Sequence, residues 1–265
     1  MDGSQLSRLK KWFDEYVAGF YGKDRYINTN LKLKEDHTHR TCCEMLWLAS
    51  QMKLNPLQTR TSETIALFHD IGRFEQFVRY QTYNDARSID HCQLALQVIR
   101  KTGVLGELEH KEKDIIETAI EYHGSLELPG NLDSELLLFS KLIRDADKID
   151  ILYIVTGYYE QYIENPQDFL FELEFPDTDE YSSDVLSDVL HGRRTDYKKL
   201  HTLNDMKLLQ LGWVYDVNFA ATLKRIKQRE LLEKLVRFLP DTEDIKKAHS
   251  RIMAYVEGRI AEGGV

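Results

Sequence analysis

Six side chains able to hold a metal ion or move a proton fall at matching places along this chain, each on or beside an otherwise apolar helical face. His37 lies near the start of one apolar-periodic run, and His69-Asp70 sits at the end of the next. His91 opens a third, His123 closes a fourth, and Asp147 lies inside a fifth. A buried imidazole or carboxylate left without a partner costs on the order of several kcal/mol. One shared ion would satisfy several of them together, because neutral imidazole and carboxylate are the usual ligands of Fe, Mn, Zn and similar ions. A single histidine on an apolar face is more often a hydrogen-bonded core residue. Five elements repeating the same anomaly point to a metal.

The elements that must position these groups read as helices. Leu6, Leu9, Phe13, Tyr16, Val17 and Phe20 recur at helical spacing over Ser4 to Phe20. A second helix is expected from Leu33 to Met52, stopped by Asn55-Pro56, and a third ending at Gly72. A fourth begins near Ser88 and carries His91, Leu94, Ala95 and Val98. A fifth stacks Ile116, Ala119, Ile120 and His123 before Gly124. The sixth, Asp133 to Tyr159, is apolar on most sides, as central helices are. Asn165 to Ser187 is acidic and turn-prone and reads as a loop. Helical pattern returns from Asn204 to Leu239 and again after Pro240, with fraying expected over the last residues, 262–265.

Composition agrees with an all-α chain. Gly and Pro number only 14 and 5 in 265 residues, too few breakers for a turn-rich sandwich or barrel. The 14 Tyr, 11 Phe and 3 Trp exclude a disordered chain. A net charge of −9 argues against a nucleic-acid duplex as partner, which needs a basic stripe. No run approaches the ~18 apolar residues of a membrane span, and the N-terminus has no secretory-type apolar region. Cys42, Cys43 and Cys92 form no even framework and read as reduced thiols buried in the core. Together these features indicate a cytoplasmic protein. GKDR and HGRR lack phosphate-loop spacing. LKRIKQRELLEKLVR is an amphipathic helix with balancing glutamates, a solvated face or a homodimer contact.

Three segments then resemble the HD superfamily of metal-dependent phosphohydrolases: HTHRT at His37–Thr41, LFHDIGR at Leu67–Arg73 and RDADKID at Arg144–Asp150. SIDHCQLA and IEYHG lie between them, completing the order H…HD…H…H…D over residues 33–155. HDIGRFEQF, SIDH and RDADKID together look like a branch of bacterial predicted hydrolases. The resemblance implies an HD-domain helical bundle at 1–165; beyond the matching stretch the helical pattern adds a loop and a C-terminal helical extension at 166–265, expected to pack on the same domain. It implies that His37, His69, Asp70 and Asp147 hold a first ion. His37 is taken over His39 by the pattern H-x-x-R, and Asp147 over Asp145 by the pattern Ala146-Asp147-Lys148-Ile149; periodicity leaves the two aspartates open. His91 and His123 match positions that bind a second ion, bridged through Asp70, in some branches and substrate phosphate in others. No G-Y-P element follows His123, which disfavours cyclic dinucleotides.

The activity so implied is hydrolysis of a nucleotide or other small phosphorylated metabolite by a metal-activated water. One or two divalent ions would serve, with Fe, Mn, Mg, Zn, Co and Ni not distinguished. Asp70, His91 and His123 are the catalytic candidates. Arg73, Arg87 and Lys148, together with Lys141, are candidates for substrate phosphate, and Glu75 or Asp85 for a proton relay. Two rivals share the scaffold: a di-iron oxygenase using the same six ligands, and a nucleotide-binding sensor without turnover.

Overall fold

Asp2 begins the first helix by a reciprocal cap: its carboxylate accepts the Ser4 and Gln5 N–H groups, and the Gln5 side chain returns to the Asp2 N–H. In the computed structural model, which describes residues 1–263, that helix is α1, Gly3–Ala18. It is followed by α2 (Arg25–Gln51), α3 (Pro56–Phe68), α4 (Gly72–Tyr80), α5 (His91–Thr102), α6 (His110–Tyr122) and α7 (Ser134–Glu164). Then come α8 (Ser183–Leu190), α9 (Leu203–Gly212), α10 (Ala220–Gln228), α11 (Leu231–Val236) and α12 (Glu243–Ala261), with short 3₁₀ turns between some of them. There is no β-strand among the described residues, so the fold is all-α. No described helix is long and apolar enough to cross a membrane. The fraying expected at 262–265 falls partly outside the described residues.

The chain divides into two compact units, residues 1–150 and 151–265, with the division inside α7. In the first, α2 packs on α3 and α4, α4 on α5, and α6 on α3 and α5. Its core is Phe13 and Val17 of α1, Leu31, Met45 and Leu48 of α2, Ile65 and Phe68 of α3, Phe74 and Phe77 of α4, and Phe139, Leu142 and Ile143 of α7. In the second unit α8 packs on α9 and α12, around Val185, Val189, Leu208, Leu211, Ile252 and Val256. There the segment expected to be loop gives way to helix at Ser183. Asp205 holds this join, accepting hydrogen bonds from Ser182 N and Oγ and from the His201 and Thr202 N–H groups.

Helix boundaries depart from sequence expectation where long-range contact overrides local pattern. α2 begins eight residues before Leu33, capped by Asp24. The run from Asn204 to Leu239 is three helices, broken by a 3₁₀ turn at Trp213–Asp216 and by Glu230 at φ 54°. Gly72 does not stop a helix. α3 ends at Phe68, and Gly72 is the first residue of α4, a helix with no counterpart in the sequence reading. Glycine is needed there for proximity, since a Cβ on it would lie 2.6 Å from Ala95 N and 2.8 Å from His91 O of α5. Both obstacles are backbone and cannot rotate aside. Gly72→Ala is therefore expected to destabilise the fold at or above the upper end of the ~1–3 kcal/mol typical of overpacking, read from chemical denaturation midpoints.

Candidate metal centre

Two of the site histidines end helices in the same way. His69 follows the last residue of α3 and His123 the last residue of α6. Each ring turns back on its own helix, Nδ1 lying 2.7 Å from the carbonyl three residues earlier, Ala66 and Ile120 respectively. The last carbonyls of a helix lack intrahelical donors, so the ring N–H satisfies one of them. A carbonyl can only accept, which makes Nδ1 the donor and leaves Nε2 bare in the neutral ring. His37, on α2, places Nδ1 2.7 Å from Asp150 Oδ2, and Arg40 Nε braces that carboxylate at 2.7 Å. His91, the first residue of α5, places Nδ1 2.5 Å from Asp85 Oδ2. Burial opposes ionisation of Asp85, but the hydrogen bond with His91 and the charge of Arg73 hold its pKa down at about 2, so it accepts. In all four rings Nδ1 is committed and Nε2 is presented, the arrangement by which outer partners orient metal-binding imidazoles.

The four Nε2 atoms converge in pairs on the two oxygens of Asp70. His37 and His69 stand 3.2 Å apart, and their Nε2 atoms lie 3.5 and 3.8 Å from Asp70 Oδ2. Asp147 Oδ1 joins this half at 3.1 Å from His37 and 3.7 Å from His69. His91 and His123 stand 3.1 Å apart, with Nε2 atoms 3.7 and 3.8 Å from Asp70 Oδ1. The six residues expected to be ligands therefore meet. The side chains of His37, His69 and Asp70 are 0–4% exposed, while Asp147 is 17% exposed, so the centre opens on the Asp147 side.

The donor set itself tests whether metal fits. With Nδ1 donating elsewhere, each close Nε2···Nε2 pair of neutral rings sets two lone pairs against one another, which a shared cation, a proton or a metal ion, relieves. Burial favours neutral carboxyls, yet Lys34, His69 and Arg73 hold Asp70 well below the usual carboxylate range. Burial likewise opposes charge on Asp147, and the His37 and His69 rings beside it more than offset that, holding its pKa well below the usual carboxylate range. Two ionised carboxylates and four bare imidazole nitrogens are a ligand set for divalent ions of the nitrogen- and oxygen-binding kind. Residues 35–152 match the family model described as HD domain. The chain carries an HD domain. This family is a superfamily of metal-dependent hydrolases that bind divalent ions, and the matched stretch contains all six converging residues. Searches of curated proteins and of solved structures found no match to the chain.

Of the other expected residues, Arg73 and Asp85 are in contact with the centre. Arg73 Nε is 3.4 Å from Asp70 Oδ1, while its Nη1 donates to Gln76 Oε1, Tyr83 O and Asp85 Oδ1. Arg87 is exposed in the turn Asp85–Arg87, and Lys141 and Lys148 are half-buried on α7. Asp85 stands behind His91, and Glu75 pairs with Arg79 one turn along α4. His39 is exposed on α2, its ring edge-on to Phe13. Cys42 and Cys92 are buried in the core as expected, Cys92 also lying against the centre, whereas Cys43 is exposed, unlike the expected buried thiol.

Four residues were not singled out for these roles by the sequence. Lys34 Nζ lies 2.8 Å from Asp70 Oδ2. It precedes His37 by three residues on α2, so helical spacing puts the two on one face. Asp150 stands in the same relation to Asp147. Arg144, buried on α7, donates to the Tyr122, His123 and Ser125 carbonyls and so fixes the end of α6. Cys92 adjoins His91. The two aspartates of α7 now separate: Asp147 faces His37, and Asp145, two residues back, is about 200° around the helix. Asp147→Asn is expected to lose bound metal and Asp145→Asn to keep it, measured by elemental analysis of the purified variants; the reverse result would place the wrong aspartate in the centre.

Proposed function

We propose that the centre hydrolyses a phosphomonoester or phosphoanhydride in a nucleotide or another small phosphorylated metabolite. The observation that carries this reading is Asp70 with a histidine pair on each oxygen, which suits two ions held side by side by one carboxylate. When bound, divalent ions supply a water acidified toward neutral pH and positive charge for a phosphoryl group. His37, His69, Asp70 and Asp147 would hold one, and His91, His123 and Asp70 the other. Asp150, Asp85 and the Ala66 and Ile120 carbonyls hold the imidazoles in place, so little reorganisation is needed as charge develops.

Two of the chain's own cations stand beside the centre. Lys34 and Arg73, 15% and 13% exposed, both lie beside Asp70 and near the Tyr83 ring. With bound divalent ions offsetting the Asp70, Asp85 and Asp147 carboxylates, these two cations would meet a phosphate that the net charge of the protein repels. Lys34 joins Arg73, Arg87 and Lys148 as a proposed phosphate contact.

The test is metal analysis followed by a panel of phosphorylated substrates. Protein stripped by chelator and reloaded with single divalent ions is expected to regain phosphate release on some member of the panel. Dioxygen consumption by the iron-loaded protein with no phosphate release would favour the oxygenase reading instead. Tight nucleotide binding with no turnover under any metal would make the protein a sensor.

A further inference from the structure

Cys92 is the second residue of α5, and its Sγ lies 3.5 Å from His91 Nε2 and 3.5 Å from His123 Nδ1. His91, Cys92 and His123 are all buried, and their ligand atoms lie within 4.8 Å of one another. His123 Nδ1 already donates to Ile120 O, so the thiol is not there to receive that proton. Around an ion with nitrogen ligands at ~2.05 Å and sulfur at ~2.3 Å, tetrahedral geometry separates N···N by about 3.3 Å and N···S by about 3.6 Å. The His91–His123 and His91–Cys92 separations, 3.1 and 3.5 Å, are close to those edges.

Two further observations point to an occupant. The Nε2 atoms of His91 and His123 oppose their lone pairs across this space, which the thiol does not relieve for both. Gly124, after His123, keeps the space open: a Cβ there would lie 3.0 Å from His91 Cε1 and 3.1 Å from Cys92 Sγ. Any side chain at that position would press on the cluster.

We infer that Cys92 is a thiolate ligand of the ion held by His91, His123 and Asp70, giving that half of the centre nitrogen, sulfur and oxygen donors. The other half, His37, His69, Asp70 and Asp147, has nitrogen and oxygen alone. A thiolate donor selects iron, cobalt or zinc and disfavours magnesium and manganese. On binding, the thiol proton leaves to solvent and the sulfur lone pair goes to the ion. This inference rests on the two-ion reading above, and its test separates the two.

The metal-free full-length protein is titrated with Co(II) and followed by absorption, with bound metal counted after desalting. The wild type is expected to take up two ions and to develop a thiolate-to-cobalt charge-transfer band with one of them; excess magnesium leaves the band intact. Cys92→Ser and Cys92→Ala, checked for helicity by circular dichroism, should lack the band and hold one ion at least about tenfold more weakly. A Cys42→Ser/Cys43→Ser variant should keep the band. Two bound ions without a band, or a band that survives Cys92→Ser, overturn the assignment and leave the two-ion centre standing. Fewer than two ions in the wild type overturns both.

Discussion

Asp70→Ala is expected to lose metal from both halves of the centre and to abolish hydrolysis while the helices survive. Among the described residues no other carboxylate faces both histidine pairs: Oδ2 looks toward His37 and His69, and Oδ1 toward His91 and His123. Mutating an outer partner that only orients a ligand typically costs about 10–100-fold in metal affinity or activity. A ligand common to two ions should cost more than that range. The alanine variant also leaves Lys34 and Arg73 without their shared counter-charge, so a folding defect could imitate the result. Asp70→Asn keeps the volume and an acceptor oxygen, and should lose metal with little change in circular dichroism. Elemental analysis decides it: metal content equal to the wild type in the asparagine variant would remove Asp70 from the centre.

The second large effect concerns stoichiometry. His91→Ala and His123→Ala should each lower bound metal from about two ions per chain toward one, because each breaks only the half facing Asp70 Oδ1. His37, His69, Asp147 and Asp70 Oδ2 are left intact in both variants, and one ion should remain. His123→Ala should be the less stable of the two in its metal-free form, since the ring also satisfies the Ile120 carbonyl at the end of α6. If both variants keep the full metal content of the wild type and only bind phosphate more weakly, the centre is mononuclear and these histidines contact substrate. The oxygenase alternative needs the second ion and falls with it.

What the sequence determined by itself is the part governed by local rules. Helical spacing of Leu6, Leu9, Phe13 and Val17 requires α1, and the apolar run around Leu142 and Ile149 requires a buried α7. The order of His37, His69-Asp70, His91, His123 and Asp147 likewise pointed to metal, because buried polar groups on five elements need a common partner. Tertiary structure alone decided how those groups meet. His37 and Asp150 are 113 residues apart, and nothing in the spacing within either helix says that one orients the other. The division into halves depends on which oxygen of Asp70 faces which pair, and so on the angle at which the short link from Phe68 to Gly72 turns α3 into α4. That link is in turn set by the contact of Gly72 with the α5 backbone, where a residue that reads locally as a helix stop starts the next helix instead. Cys92 reads locally as a core thiol, and nothing in the local pattern marks Lys34. Only packing of α2 and α5 around Asp70 and His123 brings them to the centre. Periodicity reports which face of a helix is buried, and it carries no information about what that face is buried against.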